Sequence, residues 1–183
     1  EIVPRVPLDG GAMTGQSPTS LRPDLLATLE RAPGLQGLGD SLLENFAVLM
    51  DVLMEFNMQH NLTAYRSPDE IAVHHFADSM APVASPEIGA CLGSARRGVD
   101  IGSGAGFPLL PLALRFSDCQ WTAVEAVAKK CRFIAAAATR LGISNVRALH
   151  VRAEDLARTD ERESFAIATA RAVGPSASLC EVG

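Results

Sequence analysis

The chain has 183 residues, of which 48% are hydrophobic and 20% charged, and its formal net charge at pH 7 is −5. This length fits one ordinary domain with a sizeable core and a smaller helical appendage. The acidic balance argues against attachment to nucleic acid by bulk charge alone. There is no signal peptide and no apolar run near the roughly 18 residues that span a bilayer, so we expect a cytoplasmic protein. We expect a monomer as the default.

The first part of the chain predicts a leader followed by helices. Residues 1–23 are rich in glycine, proline, serine and threonine, which is typical of a flexible leader. A helix is predicted near residues 40–58, where Ser41 and Glu44 match a capping box and apolar residues recur with helical spacing. We therefore expect a helical extension over residues 24–97.

A second helix of this extension has a clear start signal. The segment Ser67-Pro68-Asp69-Glu70 combines an N-cap serine, a proline at the first helical position and two acidic residues in the first turn. We expect this helix to run to about Met80, and residues 57–65 to form a polar connection between the two helices.

The cysteines and histidines do not suggest a metal site. No C-x-x-C spacing occurs and the cysteines fall in or beside apolar segments, so buried free thiols are expected at Cys91, Cys119, Cys131 and Cys180. His74 and His75 are adjacent, which points their side chains in different directions on a helix, and there is no H-E-x-x-H motif. We expect no bound metal.

From residue 98 onward, short apolar runs alternate with helical stretches, which predicts an α/β domain over residues 98–183. Strands are expected at about residues 98–102, 120–125, 146–151 and 165–170, and helices at about 107–116 and 127–141. Gly142 suits the position just after the last of these helices. The alternation predicts a parallel sheet with right-handed crossovers and ligands beyond the carboxyl ends of the strands. Because the last strand is largely apolar, it would need a neighbour on each side, and we expect further C-terminal strands that this sequence lacks.

A loop with glycine at every second position follows the first of these strands. Gly102, Gly104 and Gly106 can take positive φ and carry no Cβ, so a nucleotide-like ligand can approach the main chain closely. Pro108 suits the first turn of the next helix. Taken alone, the loop is equally well explained as a tight turn between a strand and a helix.

Residues after the next two strands favour a ligand that contains adenosine. Glu125 follows the loop by about twenty residues, where a carboxylate accepts hydrogen bonds from both hydroxyls of a ribose. Ala153, Glu154 and Asp155 come after the third strand, where they would border an adenine ring. The alternative for each carboxylate by itself is an exposed residue at the start of a helix.

Two residues of the loop region discriminate between adenosine compounds. A dinucleotide fingerprint would place its third glycine where this chain has Phe107. Asp100, at the tip of the strand, suits an ammonium group better than a pyrophosphate. S-adenosyl-L-methionine carries an ammonium, a ribose and an adenine, so we expect this cofactor, with NAD as the weaker alternative.

Several short segments form a more specific pattern between residues 61 and 183. They are Asn61-Leu62-Thr63-Ala64, His75-Phe76-Ala77-Asp78-Ser79, Val99-Asp100-Ile101-Gly102-Ser103-Gly104-Ala105-Gly106-Phe107-Pro108, Glu125-Ala126, Lys129-Lys130, Arg132-Phe133, Arg152-Ala153-Glu154-Asp155 and Ala170-Arg171-Ala172-Val173. In this pattern the chain resembles the bacterial RsmG family, also called GidB, the guanine-N7 methyltransferases of small-subunit (16S) ribosomal RNA. The resemblance implies a Rossmann-like methyltransferase domain with an N-terminal helical extension.

The residues and the resemblance together imply roles for individual positions. The cofactor site would comprise Asp100, Gly102, Ser103, Gly104, Gly106, Phe107, Glu125, Ala126, Val127, Ala153, Glu154 and Arg171. Candidates for contact with RNA are Asn61, His75, Asp78, Lys130 and Arg171, of which the first three lie on the extension that closes over the pocket. At Ala166 many members of the family have an aspartate, so no catalytic carboxylate is expected there.

The expected reaction is methylation of N7 of a guanine in small-subunit ribosomal RNA, either naked or within an assembling subunit. Because N7 carries an in-plane lone pair, no proton has to be removed and the protein's task is alignment and exclusion of water. We therefore assign no catalytic base, and Arg171 is the positioning candidate because arginine can donate to guanine O6. Two other classes stay open: an NAD-dependent oxidoreductase, and a binding module that has the fold without the activity.

Overall fold

The structure is a computed structural model that describes residues 22–171. Most of the predicted leader, the Ala172-Val173 end of the last family segment and Cys180 lie outside the described residues. Pro23, the last residue of the predicted leader, begins the first helix, and Arg22 is its N-cap.

The first part of the described chain is helical, as predicted for the extension. Its elements are α1 (Pro23–Arg31), α2 (Asp40–His60), α3 (Pro68–Ile71), a π-helix (Ala72–Ala77), α4 (Asp78–Met80), a 3₁₀-helix (Ala81–Ala84) and α5 (Pro86–Ser94). The elements from α3 to α4 follow one another without a break, which confirms the predicted helix but adds a π-helical middle. Neither α1 nor α5 was predicted, because each is only nine residues long.

The second part contains a parallel sheet, which confirms the α/β class. The strands are β1 (Arg97–Ile101), β2 (Gln120–Val124), β3 (Val146–Leu149) and β4 (Ile167–Ala170), and the helices between them are α6 (Leu109–Arg115), α7 (Ala128–Arg140) and α8 (Ala153–Leu156). All three strand pairs are parallel and the order is β3-β2-β1-β4. The strands β2 and β3 lie on one side of β1, whereas β4 lies on its other side. The space between β1 and β4 is therefore a topological switch point, where ligands bind in open α/β sheets.

Of the two N-cap serines predicted in the helical extension, one caps its helix and the other does not. Ser67 caps α3 with a full capping box, in which its Oγ accepts from the Glu70 amide and Glu70 reaches back to the Ser67 amide, so this prediction is confirmed. The capping box predicted at Ser41 is wrong, because the N-cap of α2 is Gly39, two residues earlier, and glycine is itself an acceptable N-cap.

The predicted end of α7 and the predicted start of α6 agree with the observed bounds to within one or two residues. Gly142 follows the C-cap of α7 with φ of 65°, as predicted. Pro108 is the N-cap of α6, one position before the predicted place in its first turn, and the Phe107–Pro108 peptide is cis.

One apolar cluster joins the helical extension to the sheet. It contains Phe46 and Leu53 of α2, Phe76 of the π-helix, Trp121 of β2 and Phe133 of α7, all fully buried or nearly so. A second, smaller cluster lies on the other side of the sheet and consists of Val99, Ile101, Val124, Leu149 and Leu156. Since neighbouring residues of a strand point to opposite faces, Asp100 points away from this second cluster.

Candidate cofactor and substrate site

The glycine loop connects β1 to α6 and is held by backbone hydrogen bonds. The amides of Gly102 and Ser103 donate to the carbonyl of Val124 at 2.8 and 3.1 Å, which ties the loop to the end of β2. The Ser103 hydroxyl donates to the carbonyl of Asp100 at 2.9 Å. Ser103 is 1% exposed, so its side chain stabilises the turn from within.

The three glycines of this loop have φ of 66°, 57° and 79° at Gly102, Gly104 and Gly106, which is the region that favours glycine. A Cβ at Gly106 would lie 2.5 Å from Cδ1 of the buried Leu110, so this position also requires glycine for packing. A Cβ at Gly104 would meet nothing closer than the Gly102 carbonyl at 3.8 Å. The space beside Gly104 therefore remains open to a ligand.

Asp100 is a fully buried carboxylate with one unsatisfied oxygen. Its Oδ1 accepts a hydrogen bond from Thr169 Oγ1 of β4 at 2.6 Å, whereas Oδ2 has no hydrogen-bond partner among the described residues. Burial raises the pKa of Asp100 to about 6, against the lowering effects of the Thr169 and Ser103 hydroxyls and of the Arg171 charge. A buried oxygen of this kind carries a desolvation cost that a cationic donor would remove.

Glu125 follows β2 and lies against the glycine loop. Its Oε2 accepts from the Gly104 amide at 2.8 Å and its Oε1 accepts from the Val127 amide at 2.7 Å. A carboxylate has about four lone-pair sites, so each oxygen keeps one for a further donor. Glu125, the predicted acceptor for the ribose hydroxyls, therefore lies next to the glycine loop. Its two hydrogen bonds also order the backbone at Gly104 and at Val127.

Arg171 follows β4 and contacts the π-helix from across the sheet edge. Its Nη1 donates to the His74 carbonyl at 2.9 Å and to Asp78 Oδ2 at 2.8 Å, and its Nη2 lies 2.8 Å from His75 Nδ1. Two of its five N–H donors, on Nε and Nη2, have no protein acceptor among the described residues, and the side chain is 30% exposed. These donors are therefore available to a ligand.

The π-helix explains why the His74 carbonyl can accept from Arg171. In a regular α-helix the Asp78 amide would donate to His74, four residues earlier. Here that amide donates to the carbonyls of Val73 and His75 instead. The irregular turn therefore presents both the His74 carbonyl and the Asp78 carboxylate to one guanidinium nitrogen, and such turns are frequent at functional sites.

His75 is 6% exposed and packs against the glycine loop. Its ring stacks on Phe107 with centroids 4.5 Å apart and planes 12° from parallel, and its Nε2 lies 2.9 Å from Thr63 Oγ1. Burial, and secondarily the charge of Arg171, lowers the pKa of His75 to about 4. Its side chain is neutral at physiological pH.

Phe107 is 3% exposed because protein groups cover it on several sides. Besides His75 these are Phe76, whose ring meets it edge-on at 5.2 Å, and the Arg171 guanidinium, which lies 5.9 Å from its ring centroid. The predicted cofactor residue thus forms the base of the loop, and little of its own surface is open to a ligand.

The other predicted cofactor residues come after the carboxyl ends of β2 and β3. Ala126 and Val127 are exposed, with Val127 42% exposed. Ala153 packs partly buried against the smaller apolar cluster, while Glu154 and Asp155 are exposed in α8, and Asp155 pairs with Arg158. No hydrogen bond or ion pair between described residues fixes the direction of the Glu154 carboxylate.

The remaining RNA candidates lie at the end of α2 and at the start of α7. Asn61 is the C-cap of α2, with φ of 47°, and its side-chain oxygen accepts from Arg66 Nη2 at 2.8 Å. Lys130 lies half-buried in the first turn of α7, without an ion pair among the described residues. The neighbouring Lys129 donates to the His60 carbonyl at 2.8 Å, which joins α7 to the end of α2.

Two threonines of the site were not predicted from the sequence. Thr169 lies opposite Asp100 in the register of β1 and β4, and it is the one polar residue of an otherwise apolar strand, which was an available signal. Thr63 Oγ1 accepts from the Tyr65 amide and contacts His75, a pairing that no local pattern indicates.

Metal and membrane features are limited to what the described residues allow. Over residues 22–171 no group of three or more histidine, cysteine or acidic residues is placed to hold a metal ion. In the same range no helix is long and apolar enough to cross a membrane. Cys119 and Cys131 are buried free thiols as predicted, whereas Cys91 is exposed on the two-turn helix α5, so the prediction is wrong there.

The chain is similar to many curated proteins. It is 37% identical over 159 residues to a ribosomal RNA small subunit methyltransferase G of Clostridium botulinum, covering 86% of this chain and 64% of that protein. The corresponding figures are 39%, 81% and 61% for a protein of the same name from Deinococcus deserti, and 41%, 74% and 60% for one from Solibacter usitatus. The chain therefore spans about three fifths of the length of these relatives.

A family comparison covers most of the chain and includes every part of the site described above. Residues 42–183 match the family described as GidB, rRNA small subunit methyltransferase G. The match begins in α2 and runs through the glycine loop, Glu125 and Arg171. With its parallel sheet, glycine loop and helical extension, the chain belongs to the GidB family of rRNA small subunit methyltransferase G.

Proposed function

We propose that this chain forms the donor-binding domain of an S-adenosyl-L-methionine-dependent methyltransferase that modifies N7 of a guanine in small-subunit (16S) ribosomal RNA. Family membership supports the class of reaction. The observation that carries the cofactor assignment is the buried Asp100 carboxylate directly before the glycine loop, whose Oδ2 has no partner in the part of the chain that the structure describes. The proposal concerns the whole protein, because the chain spans about three fifths of its relatives.

The residues present fit the ammonium end of this cofactor. Asp100 is a carboxylate in the strand, so it offers a negative charge where a dinucleotide would bring a pyrophosphate. An ammonium group donates hydrogen bonds and favours the ionised carboxylate, which burial alone opposes. The charge of Asp100 therefore selects against the alternative ligand, NAD.

The residues also fit the adenosine end. Glu125 keeps two free lone-pair sites after binding two backbone amides, which matches the two hydroxyls of a ribose. The exposed Ala126 and Val127 and the partly buried Ala153 would contact the nucleoside, with Glu154 nearby. The open side of Gly104 leaves room for the ligand to pass along the main chain.

In the proposed reaction the bound cofactor supplies a methyl group on a positively charged sulfur. The chain's own residues hold the two reactants in line and exclude water, and such positioning accounts for a large part of the barrier reduction in bimolecular reactions. Guanine N7 needs no deprotonation, so neither Asp100 nor Glu125 acts as a base. The free donors of Arg171 would bind guanine O6 or a phosphate, and the ammonium of the half-buried Lys130 would bind a phosphate.

The target guanine is expected to be unpaired or extruded. N7 faces the major groove, which in A-form RNA is too deep and narrow for side chains to enter. Asn61 and Asp78 on the helical extension would border the entry of the nucleotide. The cytoplasmic location is part of the same proposal, since small-subunit ribosomal RNA is found there.

The deciding experiment compares two ligands and then two acceptors. S-adenosylhomocysteine should raise the melting temperature of the protein, and NADH should leave it unchanged. The protein should then transfer labelled methyl from S-adenosylmethionine to unmodified small-subunit RNA or particles. Stabilisation by NADH alone would contradict the methyltransferase and support the oxidoreductase, and binding without transfer would support a non-catalytic module. Mapping of N7-methylguanine in a strain that lacks the protein would identify the base.

A further inference from the structure

His75 joins four separate parts of the fold. It is carried by the π-helix, its Nε2 contacts Thr63 in the connection after α2, its ring stacks on Phe107 of the glycine loop, and its Nδ1 contacts Arg171 after β4. At 6% exposure it is too enclosed for RNA to reach its ring. The residue therefore needs a role other than the direct RNA contact expected from the sequence.

The hydrogen bonds of His75 define its tautomer. A guanidinium has donors only, so His75 Nδ1 must accept the hydrogen bond from Arg171 Nη2. The proton of the neutral ring is then on Nε2 and is donated to Thr63 Oγ1. Arg171 and Asp78 face the ring, and His74 precedes it in the same helix; burial and the nearby cationic guanidinium both oppose a second proton.

We propose that His75 is a positioning residue of the methyl transfer, which in its neutral form holds the Arg171 guanidinium and the Phe107 ring in one arrangement. The inference rests on the proposed function. The helical extension carries His75. Its docking therefore sets both the shape of the glycine loop and the direction of the free N–H groups of Arg171.

The other contacts of Arg171 are weaker determinants of its direction. The ion pair with Asp78 involves a carboxylate that is 54% exposed, and exposed pairs contribute little because solvent screens them. The His74 carbonyl accepts from the same nitrogen, Nη1. His75 is the contact that fixes Nη2, and thereby the plane of the fork that faces the ligand.

Two substitutions separate the two contacts of the ring. H75F keeps an aromatic ring to stack on Phe107 but removes the acceptor for Arg171. H75N keeps an acceptor close to the position of Nδ1 but removes the stacking. H60F is the matched control, because His60 is exposed at the end of α2 and its side chain lies outside the site.

The proposal predicts opposite effects of the two variants. H75F should lower kcat at saturating donor about tenfold or more, while the Kd for S-adenosylhomocysteine, measured by titration calorimetry, changes less than threefold. H75N should weaken that Kd about tenfold and retain most of the wild-type kcat. H60F should match the wild type in both. The loss in H75F should also disappear when Arg171 is already alanine, because the two residues act through one contact.

A purely structural role gives a different pattern. H75F and H75N would then lower kcat and donor affinity together, in proportion to the fall in melting temperature, and the effects would add to that of R171A; this result would overturn the inference. The ring nitrogen chemical shifts provide a second readout, since protonated Nδ1 in the wild type would also overturn it. Failure of the wild type to bind S-adenosylhomocysteine would instead contradict the proposed function itself.

Discussion

At the scale of single residues, the site contains two buried carboxylates with different surroundings. Glu125 receives two backbone amides, one on each oxygen. Asp100 receives one hydroxyl and leaves its second oxygen without a partner among the described residues. Both oxygens of Glu125 are therefore bound before a ligand arrives, whereas Oδ2 of Asp100 would gain its partner from the ligand.

Replacement of Glu125 should affect the donor more than the RNA. We expect E125A to raise the Kd for S-adenosylhomocysteine at least tenfold, because it removes the proposed ribose acceptor and frees the amides of Gly104 and Val127. Binding of small-subunit RNA should change less than twofold. Calorimetry for the donor and filter binding for the RNA measure the two effects, with E55A, an exposed position of α2, as control. Equal losses of both affinities would contradict the ribose assignment.

Asp100 should make the stability of the ligand-free protein depend on pH. Its pKa is about 6 in the folded protein against 3.8 for the free side chain, so the folded state retains a proton that the unfolded chain loses. The favourable contribution is therefore complete below about pH 4 and is lost as the pH rises through 6, by ~3 kcal/mol in total.

The variant D100N tests this sign. The free energy of unfolding of D100N relative to the wild type should increase between pH 4.5 and pH 7.5, as measured by denaturant titration at both values. The donor should show the reverse trend: wild-type affinity falls as the pH drops below 6, and D100N binds weakly throughout. A stability difference that is constant with pH would show that the raised pKa of Asp100 is wrong.

At the scale of elements, the glycine loop and the π-helix meet at the site and differ in how far the sequence specifies them. Alternating glycines restrict the loop strongly, because positive φ favours glycine, and all three have it. The π-helix has no comparable signal in the sequence, because its segment predicts only a helix. Whether the hydrogen bonds join residues four or five positions apart depends on packing against Phe107 and Arg171. The two start signals show the same limit, since the box at Ser67 formed and the one at Ser41 did not.

The loop offers a matched pair of glycine substitutions. G106A combines positive φ with a Cβ that would lie 2.5 Å from Leu110, whereas G37A has φ of 82° and nothing within 4 Å of the added Cβ. We expect G37A to cost ~1–2 kcal/mol from backbone strain alone. G106A should cost a further ~1–3 kcal/mol for the clash in the core. Denaturant unfolding of both measures the difference, and equal costs would show that Leu110 can move aside.

At the scale of the whole molecule, the helical extension and the sheet share one core. Phe56 of α2 packs edge-on against the fully buried Phe133 of α7, with ring centroids 5.3 Å apart. The boundary predicted between residues 97 and 98 falls inside β1, and one apolar cluster contains residues from both sides of it. The position of His75 depends on this shared core, since the extension has to be docked for the ring to meet Phe107.

This arrangement predicts a single unfolding transition. F56A should lower the free energy of unfolding by ~2 kcal/mol, below the range for a fully buried phenylalanine because Phe56 is half-buried. Trp121, the only tryptophan of the chain, reports on the sheet by fluorescence, and circular dichroism reports mainly on the helices. Both midpoints should fall together, while M58A, at a position 80% exposed, should leave them unchanged. A shift in the dichroism midpoint alone would show that the two parts unfold separately.

The sequence by itself determined the α/β class, the strand-to-helix alternation, the glycine loop and the resemblance to the GidB family, because these follow from residue spacing and from the backbone limits of glycine and proline. The tertiary structure decided what the site residues contact. Arg171 meets His74, His75 and Asp78 from more than 90 positions away, and within residues 22–171 Asp100 is paired through one oxygen only. The physical reason is that burial and long-range contacts set hydrogen bonding and pKa, and neither burial nor such contacts are fixed by neighbours along the chain.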